Sequence, residues 1–187
     1  MSLSLAWQAL YWMWIVSELA IVVVTRTRRG EGKLRDRGSM LILWVVIFAS
    51  ITVASWFAET HSAGSGPHWL RTASVAVLAV GLAIRWTAIL SLGRSFSVNV
   101  AIHATQTVHK TGLFRYVRHP SYLGLMIIFV ALGMRKSNWI ALILVLVPPC
   151  AALLYRIHVE EQALREAFGV EYEDYSRTTK RLIPGVY

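Results

Sequence analysis

The sequence predicts an all-α, polytopic integral membrane protein with about five membrane-embedded helices. Composition is the first reason: 56% of the 187 residues are hydrophobic, 8 are tryptophan, and the mean hydropathy is +0.51. That is too apolar for a soluble domain. The second is the recurrence of apolar runs near the ~20 residues that a helix needs to cross a bilayer. The third is where the charge falls. A formal net charge of +9 invites a nucleic-acid reading, but the charges sit in short segments flanking apolar runs instead of on one amphipathic face. The partner they imply is the membrane, with no nucleic acid.

The first run, Leu3 to Val24, has no positive segment ahead of it and is followed by Arg26, Arg28 and Arg29. A cleavable signal peptide has the reverse charge order, so a retained transmembrane helix is expected. Trp7, Tyr11, Trp12 and Trp14 enrich its outer half as an aromatic belt would, and Glu18 is the exception inside it. A second run spans Ser39 to Ala58. The basic loop between them, Arg26 to Gly38, belongs in the cytoplasm by the positive-inside rule, with the N-terminus outside. Thr60 to Pro67 reads as a turn-rich outer loop. His61 and His68 there lack a nearby Cys, Asp or third His, so no metal site is expected. The third span runs from about Arg71 to Leu92. Arg85 within it is expected to snorkel to the interface, pairing with Glu18 at similar depth being the alternative. These three spans make up an N-terminal region, 1–92.

The second region, 93–187, carries the polar chemistry. Gly93 to His119 is a long cytoplasmic loop, and interspersed Phe96, Val98, Val100, Ile102, Val108, Leu113 and Phe114 argue that it packs. It ends with Arg115, Arg118, His119 and Tyr122 directly before an apolar run from Leu123. Pro120 fits only the first turn of a helix, which places His119 just outside it and Ser121 and Tyr122 at its mouth. A basic interfacial anchor would look the same. Two apolar runs, Leu123 to Met134 and Trp139 to Ile157, are separated only by Arg135-Lys-Ser-Asn138 and must form an antiparallel hairpin. Its first arm is short, Pro148-Pro149 should kink the second, and the charges at its tip argue against a full-depth crossing. From Arg156 an amphipathic helix is expected, capped by Gly169 and followed by a short helix over Glu171 to Thr178. Arg156 and Glu160 share a helix face at i,i+4, as a surface ion pair would too. Because the hairpin folds back, that face can lie beside His119 and Tyr122. Cys150, the only cysteine, permits neither an internal disulfide nor a Cys-based metal site and reads as a small buried hydrophobe.

Arg118-His-Pro-Ser-Tyr122, a hairpin, Glu160-Glu161, then Phe168-Gly-Val-Glu-Tyr172 and Tyr175 resemble the isoprenylcysteine carboxyl methyltransferase family. Phospholipid N-methyltransferases share part of this layout, and membrane sterol reductases carry a string like Arg-His-Pro-x-Tyr. The resemblance covers about Leu92 to Pro184; the first two spans carry no matching motif. It implies a cytoplasmic pocket for S-adenosylmethionine formed by the loop, the hairpin mouth and the C-terminal helix. Family cofactor contacts fall on Gln106, Thr107, Val108, His109, Phe114, His119, Pro120, Ser121, Tyr122 and Glu160, and more loosely on Asn99. Phe114 stands where the family pattern has tyrosine, so stacking survives there and a hydroxyl contact does not. Arg156 matches the arginine assigned to the reacting group of the acceptor, the catalytic position.

The chemistry suits those residues. A sulfonium and an ammonium favour carboxylates and aromatic faces nearby, here Glu160 with Phe114 or Tyr122. The expected function is methyl transfer to the carboxylate of a lipidic, isoprenylcysteine-like acceptor within the bilayer, by a multi-pass protein whose site faces the cytoplasm. A phospholipid or lipid-amine N-methyltransferase is the alternative, and would need His119, His158 or Glu161 as a base. An NADPH-dependent sterol-type reductase is a third reading, which the glutamate pair fits less well.

Overall fold

A computed structural model describes residues 2–27, 33–34, 38–61, 67–93, 101–102 and 107–183. The described elements are helices α1 (Leu3–Thr27), α2 (Ser39–Thr60), α3 (His68–Leu92), α4 (Pro120–Lys136), α5 (Trp139–Phe168) and α6 (Val170–Thr178), a 3-10 turn at Gly112–Arg115, and two short strands. Strand β1 (Lys33–Leu34) pairs antiparallel with β2 (Ala101–Ile102) and joins the first basic loop to the long second one. The all-α reading holds. Four helices, α1 over Leu3–Val24, α2, α3 and α5, are long and apolar enough to cross a membrane. With 17 residues α4 is shorter, as its sequence implied.

Each helix buries one stripe. Leu43, Ile47, Ser50 and Ala54 on α2 recur at helical spacing and face α5, which presents Ala141, Val145, Pro149 and Leu153. On α3, Ser74, Leu78, Gly81, Leu82, Arg85 and Ala88 face α4. The resulting order in space is α1, α3, α4, α5, α2, with α1 at the edge. Small residues let α3 and α4 approach closely, as apolar helices require when no hydrophobic drive separates them from lipid. A Cβ added to Gly124 would lie 2.7 Å from the backbone nitrogen of Arg85 and 2.8 Å from the Gly81 carbonyl oxygen. Only glycine fits there.

The α4–α5 hairpin turns through Ser137, left-handed at φ 52°, and Asn138, whose side chain caps α5 by accepting from Ile140 and Ala141 at 3.0 and 3.1 Å. Its tip is not shallow. Asn138 donates to the His61 carbonyl at the end of α2, and Arg71 at the start of α3 donates to the Ser137 hydroxyl. The Arg135 guanidinium lies 5.2 Å from the Trp7 ring centroid at the start of α1. The tip therefore reaches the same end of the bundle as the α2–α3 connection. Of the two charges expected to oppose a full-length hairpin, Arg135 is used in local contacts, with the Trp7 ring and the Arg71 carbonyl.

Helix α5 also differs from expectation in length. The amphipathic segment from Arg156 is not a separate helix but the continuation of one 30-residue helix that runs through Pro148 and Pro149. At ~1.5 Å per residue it is about 45 Å long, more than the ~30 Å hydrocarbon core, so its polar last turns extend beyond the apolar layer. Gly169 ends it at φ 52°, with its N–H on the Arg165 carbonyl, as expected for a glycine cap. The chain then turns into α6.

Candidate functional site

The polar ends of α4 and α5 meet at the end of the bundle opposite the hairpin tip. Proline at the first position of α4 makes His119 its N-cap. The chain before it runs beside the segment after α6: Val117 bridges Lys180 in parallel, Arg118 N–H donates to the Lys180 carbonyl at 2.7 Å, and His119 N–H to that of Arg181 at 3.0 Å. The C-terminal segment is thereby laid against the mouth of α4.

Two neighbouring carboxylates on α5 organise the polar cluster. Glu161 is buried at 2% exposure beneath three guanidiniums and a ring. Arg118 Nε donates to it at 2.9 Å and Arg181 at 3.0–3.1 Å, Arg165 approaches at 3.8 Å, and His119 Nε2 lies at 3.4 Å. Arg118 also donates to the Ser176 carbonyl at 2.8 Å and to that of Thr179. These bonds fasten the C-terminal segment to α4 and α5. Glu160, half-buried, accepts from the Tyr122 hydroxyl at 2.7 Å. Behind it Arg156, 1% exposed, donates through Nε to the same hydroxyl at 3.4 Å and through Nη1 to Ser39 Oγ at 2.6 Å. The rings of His119 and Tyr122 stack with centroids 5.6 Å apart.

His119, Tyr122, Arg156 and Glu160 are thus drawn into one cluster from sequence positions far apart. Arg156 is fully buried and bonded to Tyr122 and Ser39, a setting unlike that of a surface ion pair. Ser121 is buried with its hydroxyl facing α3, where Arg85 Nη1 donates to Oγ at 2.9 Å and to the carbonyl oxygen at 3.2 Å. Arg85 does not snorkel: it is 5% exposed and paired bidentately with Glu18. Pro120 is buried as the first residue of the helix.

Phe114 and His109 form a second cluster with the α6 side of the site. Their rings meet edge-on at 5.1 Å, and the Tyr175 hydroxyl donates to the Phe114 carbonyl at 2.6 Å. Burial pushes the Tyr175 phenol up to about 12. Thr107 is exposed and Val108 half-buried, while Gln106 and Asn99 lie outside the described residues. An open cleft of about 460 Å3 lies here, lined by Lys110, Arg115, Asp174, Tyr175, Thr178 and Thr179. Among the described residues no hydrogen bond or ring contact joins this cluster to Tyr122 and Glu160. The residues of the cluster that the sequence did not single out are Ser39 and Arg181; Arg118 and Glu161 stood in the motifs, but not as partners of one another. Two arginines, Arg156 and Arg165, flanking a glutamate pair were a visible signal for Glu161; Ser39 gave none.

One buried polar atom is unpartnered among the described residues, the Tyr172 hydroxyl, on a side chain 2% exposed. Burial first, and then the negative charge of Glu161, raise that phenol well above its ordinary value. A hydroxyl without a partner among the described residues, the Glu160 carboxylate and the stacked His119–Tyr122 rings make a setting that can accept a polar, cationic ligand.

A family model described as the isoprenylcysteine carboxyl methyltransferase family matches residues 74–166. The match starts inside α3, upstream of the motifs at the α4 mouth, and so includes Arg85. Protein-S-isoprenylcysteine O-methyltransferase A of Arabidopsis thaliana is 31% identical over 122 residues, covering 63% of this chain and 61% of the relative. Its B counterpart is 30% identical over 141 residues, covering 73% and 71%. The Schizosaccharomyces pombe enzyme is 31% identical over 116 residues, with 61% and 49% covered. The chain therefore spans from about half to about seven tenths of the length of these relatives. The solved eukaryotic intramembrane Ras methyltransferase, isoprenylcysteine carboxyl methyltransferase, superposes with a TM-score of 0.61 at 25% identity over 78% of this chain and 52% of that one. Sequence and fold agree, and this chain belongs to the isoprenylcysteine carboxyl methyltransferase family.

Proposed function

We propose that this chain is an integral membrane methyltransferase that uses S-adenosylmethionine to esterify the carboxylate of a lipidic, isoprenylcysteine-like acceptor. The observation that carries the reading is the Tyr122 hydroxyl held between the buried Arg156 guanidinium and the Glu160 carboxylate. Glu160, Tyr122, His119 and Tyr172 would hold the donor, with Phe114, His109, Thr107 and Val108 on the loop side, Gln106 by the family pattern alone, and Pro120 and Ser121 shaping the mouth. When bound, S-adenosylmethionine supplies an electrophilic methyl group on a sulfonium. The acceptor carboxylate, with a pKa of ~4, is already ionised at pH 7, so this chain needs no general base. Positioning is then its main contribution, for which effective molarities allow ~7–11 kcal/mol.

Arg156 holds the acceptor carboxylate by a charge-assisted pair. As the acceptor becomes a neutral ester that pair weakens, which favours product release. The basic loop after α1 supports a site facing the cytoplasm, with residues 1–92 serving as spans and 93–187 carrying the chemistry. A buried guanidinium beside the acceptor suits an anion better than an amine that must first lose a proton. The test is radiolabelled methyl transfer from S-adenosylmethionine to an S-prenylated cysteine carboxylate and to a lipid amine, side by side in nanodiscs. Base-labile label on the carboxylate acceptor is expected. Label on the amine alone overturns the carboxylate reading, and NADPH-dependent reduction without methyl transfer overturns both.

A further inference from the structure

Glu18 and Arg85 form a charged pair outside the cluster of Tyr122, Arg156 and Glu160. The two residues are 3% and 5% exposed on helices read as crossing the membrane. Buried pairs of this kind seldom outperform apolar residues of similar volume in stability, and inside a membrane they usually mark function. Arg85 Nε and Nη2 each donate to one oxygen of Glu18, the second at 2.6 Å. Trp14 Nε1 adds a third donor to the carboxylate at 3.2 Å. The pair is satisfied by those bonds, which leaves Nη1 to reach outside it, to both Oγ and the carbonyl oxygen of Ser121.

Ser121 is the residue directly before Tyr122. We propose that Arg85, oriented by Glu18, is a positioning residue for methyl transfer: it fixes the first turn of α4 so that the Tyr122 phenol meets Arg156 and Glu160. The proposal rests on the methyltransferase reading for the chemistry it serves. The close crossing at Gly81 and Gly124 makes the link stiff. It sets the α3 backbone at Arg85 against the α4 backbone one turn from Ser121, so the guanidinium spans a short, fixed distance. It also gives the edge helix a task. Through Glu18, with Trp86 Nε1 donating to Ser17 Oγ at 3.1 Å, α1 is tied to the mouth of α4.

The test compares Glu18→Gln/Arg85→Met, which removes both charges without stranding either, with Arg85→Lys, which keeps the charge for Glu18 but not the planar reach to Ser121. Each full-length variant in nanodiscs is measured for Tm, for kcat and KM in methyl transfer from S-adenosylmethionine to an S-prenylated cysteine carboxylate, and for hydrogen–deuterium exchange of the peptide 119–125. In both variants kcat is expected to fall about tenfold or more with acceptor KM within about threefold. Exchange at 119–125 should rise about tenfold while that of 141–153 stays unchanged. Wild-type kcat, or unchanged exchange at 119–125, overturns the proposal. If the double variant does not fold, Arg85→Lys decides on the same readouts. If the wild-type protein transfers no methyl group, the methyltransferase reading fails and the exchange result alone decides the positioning role.

Discussion

Arg156→Ala separates a clamp on the acceptor from a tie between helices. The guanidinium sits 2.6 Å from Ser39 Oγ but 3.4 Å from the Tyr122 hydroxyl, a long and weak contact. The shorter of these two bonds is to α2, and the longer one, to Tyr122, lies on the side of Glu160. Losing a charge-assisted bond to the acceptor costs ~1.5–3 kcal/mol, or ~10–150-fold in kcat/KM. Cofactor affinity should hold, because Tyr122 still donates to Glu160 at 2.7 Å. Arg156→Lys should recover part of the rate, since an ammonium cannot make the planar two-point pair. Ser39→Ala is the control: it removes the α2–α5 bond and keeps the guanidinium, so it should lower Tm with little loss of turnover. Single-turnover methyl transfer, with donor Kd and Tm measured separately, reads out all three. Near wild-type turnover by Arg156→Ala, or a loss in Ser39→Ala as large as in Arg156→Ala, would refute the clamp.

Other outcomes rest on the same contacts. Glu161→Gln leaves Arg118, Arg181 and Arg165 facing a neutral amide; breaking such a buried cluster costs about 3–5 kcal/mol and should expose the chain after α6 to trypsin at Lys180 and Arg181, seen by limited proteolysis. Gly124→Ala forces a methyl group against the α3 backbone at Gly81 and Arg85; destabilisation of about 1–3 kcal/mol is expected, with a Tm fall larger than for alanine at exposed Gly112, provided the positive φ there is allowed for. The Tyr175 phenol, raised by burial to about 12 in the folded chain, contributes stability that is full below its unfolded pKa of ~10 and is lost as pH rises through about 12. A denaturation series across that range should flatten in Tyr175→Phe after subtraction of its constant offset.

Much of the fold was legible because hydrocarbon imposes it. A membrane helix must bury its own backbone polar groups, so run length and flanking charge mark where helices begin and end. Pro120 and Gly169 fixed two boundaries through backbone chemistry alone. The convergence of Tyr122 with Glu160 was legible too, since so short a connection at Arg135 to Asn138 returns the chain antiparallel. What escaped the sequence was partner choice. Arg85 was expected at the interface because one arginine near a helix end has a cheap route to water. The pair with Glu18 was the alternative weighed, and it could not be preferred because it depends on α1 packing against α3, which no local pattern encodes. Continuity of α5 beyond Ile157 escaped for the opposite reason: the change from an apolar to a charged amphipathic pattern at Arg156 looks like a boundary, yet the helix runs on to Phe168.

Two buried arginines meet the first turn of α4 from opposite sides, and what each touches there assigns them different work. Arg85 comes from α3 and bonds the hydroxyl and carbonyl of Ser121, the residue before Tyr122, while Nε and Nη2 hold Glu18. Arg156 comes from α5 and touches the tyrosine hydroxyl itself, at the longer distance of 3.4 Å. A guanidinium committed on both sides by close bonds suits a fixed strut. One that reaches the reactive side through a long bond to a neutral hydroxyl can exchange that bond for a stronger one to an anion, which suits a clamp. Adding a carboxylate on the far side of Arg156 tests this division. Ser39→Asp would place a fixed negative charge where Oγ now accepts from Nη1 at 2.6 Å. It should raise acceptor KM about tenfold or more while leaving donor Kd in place. An unchanged acceptor KM in that variant would mean that the field of Arg156 is not what the acceptor feels.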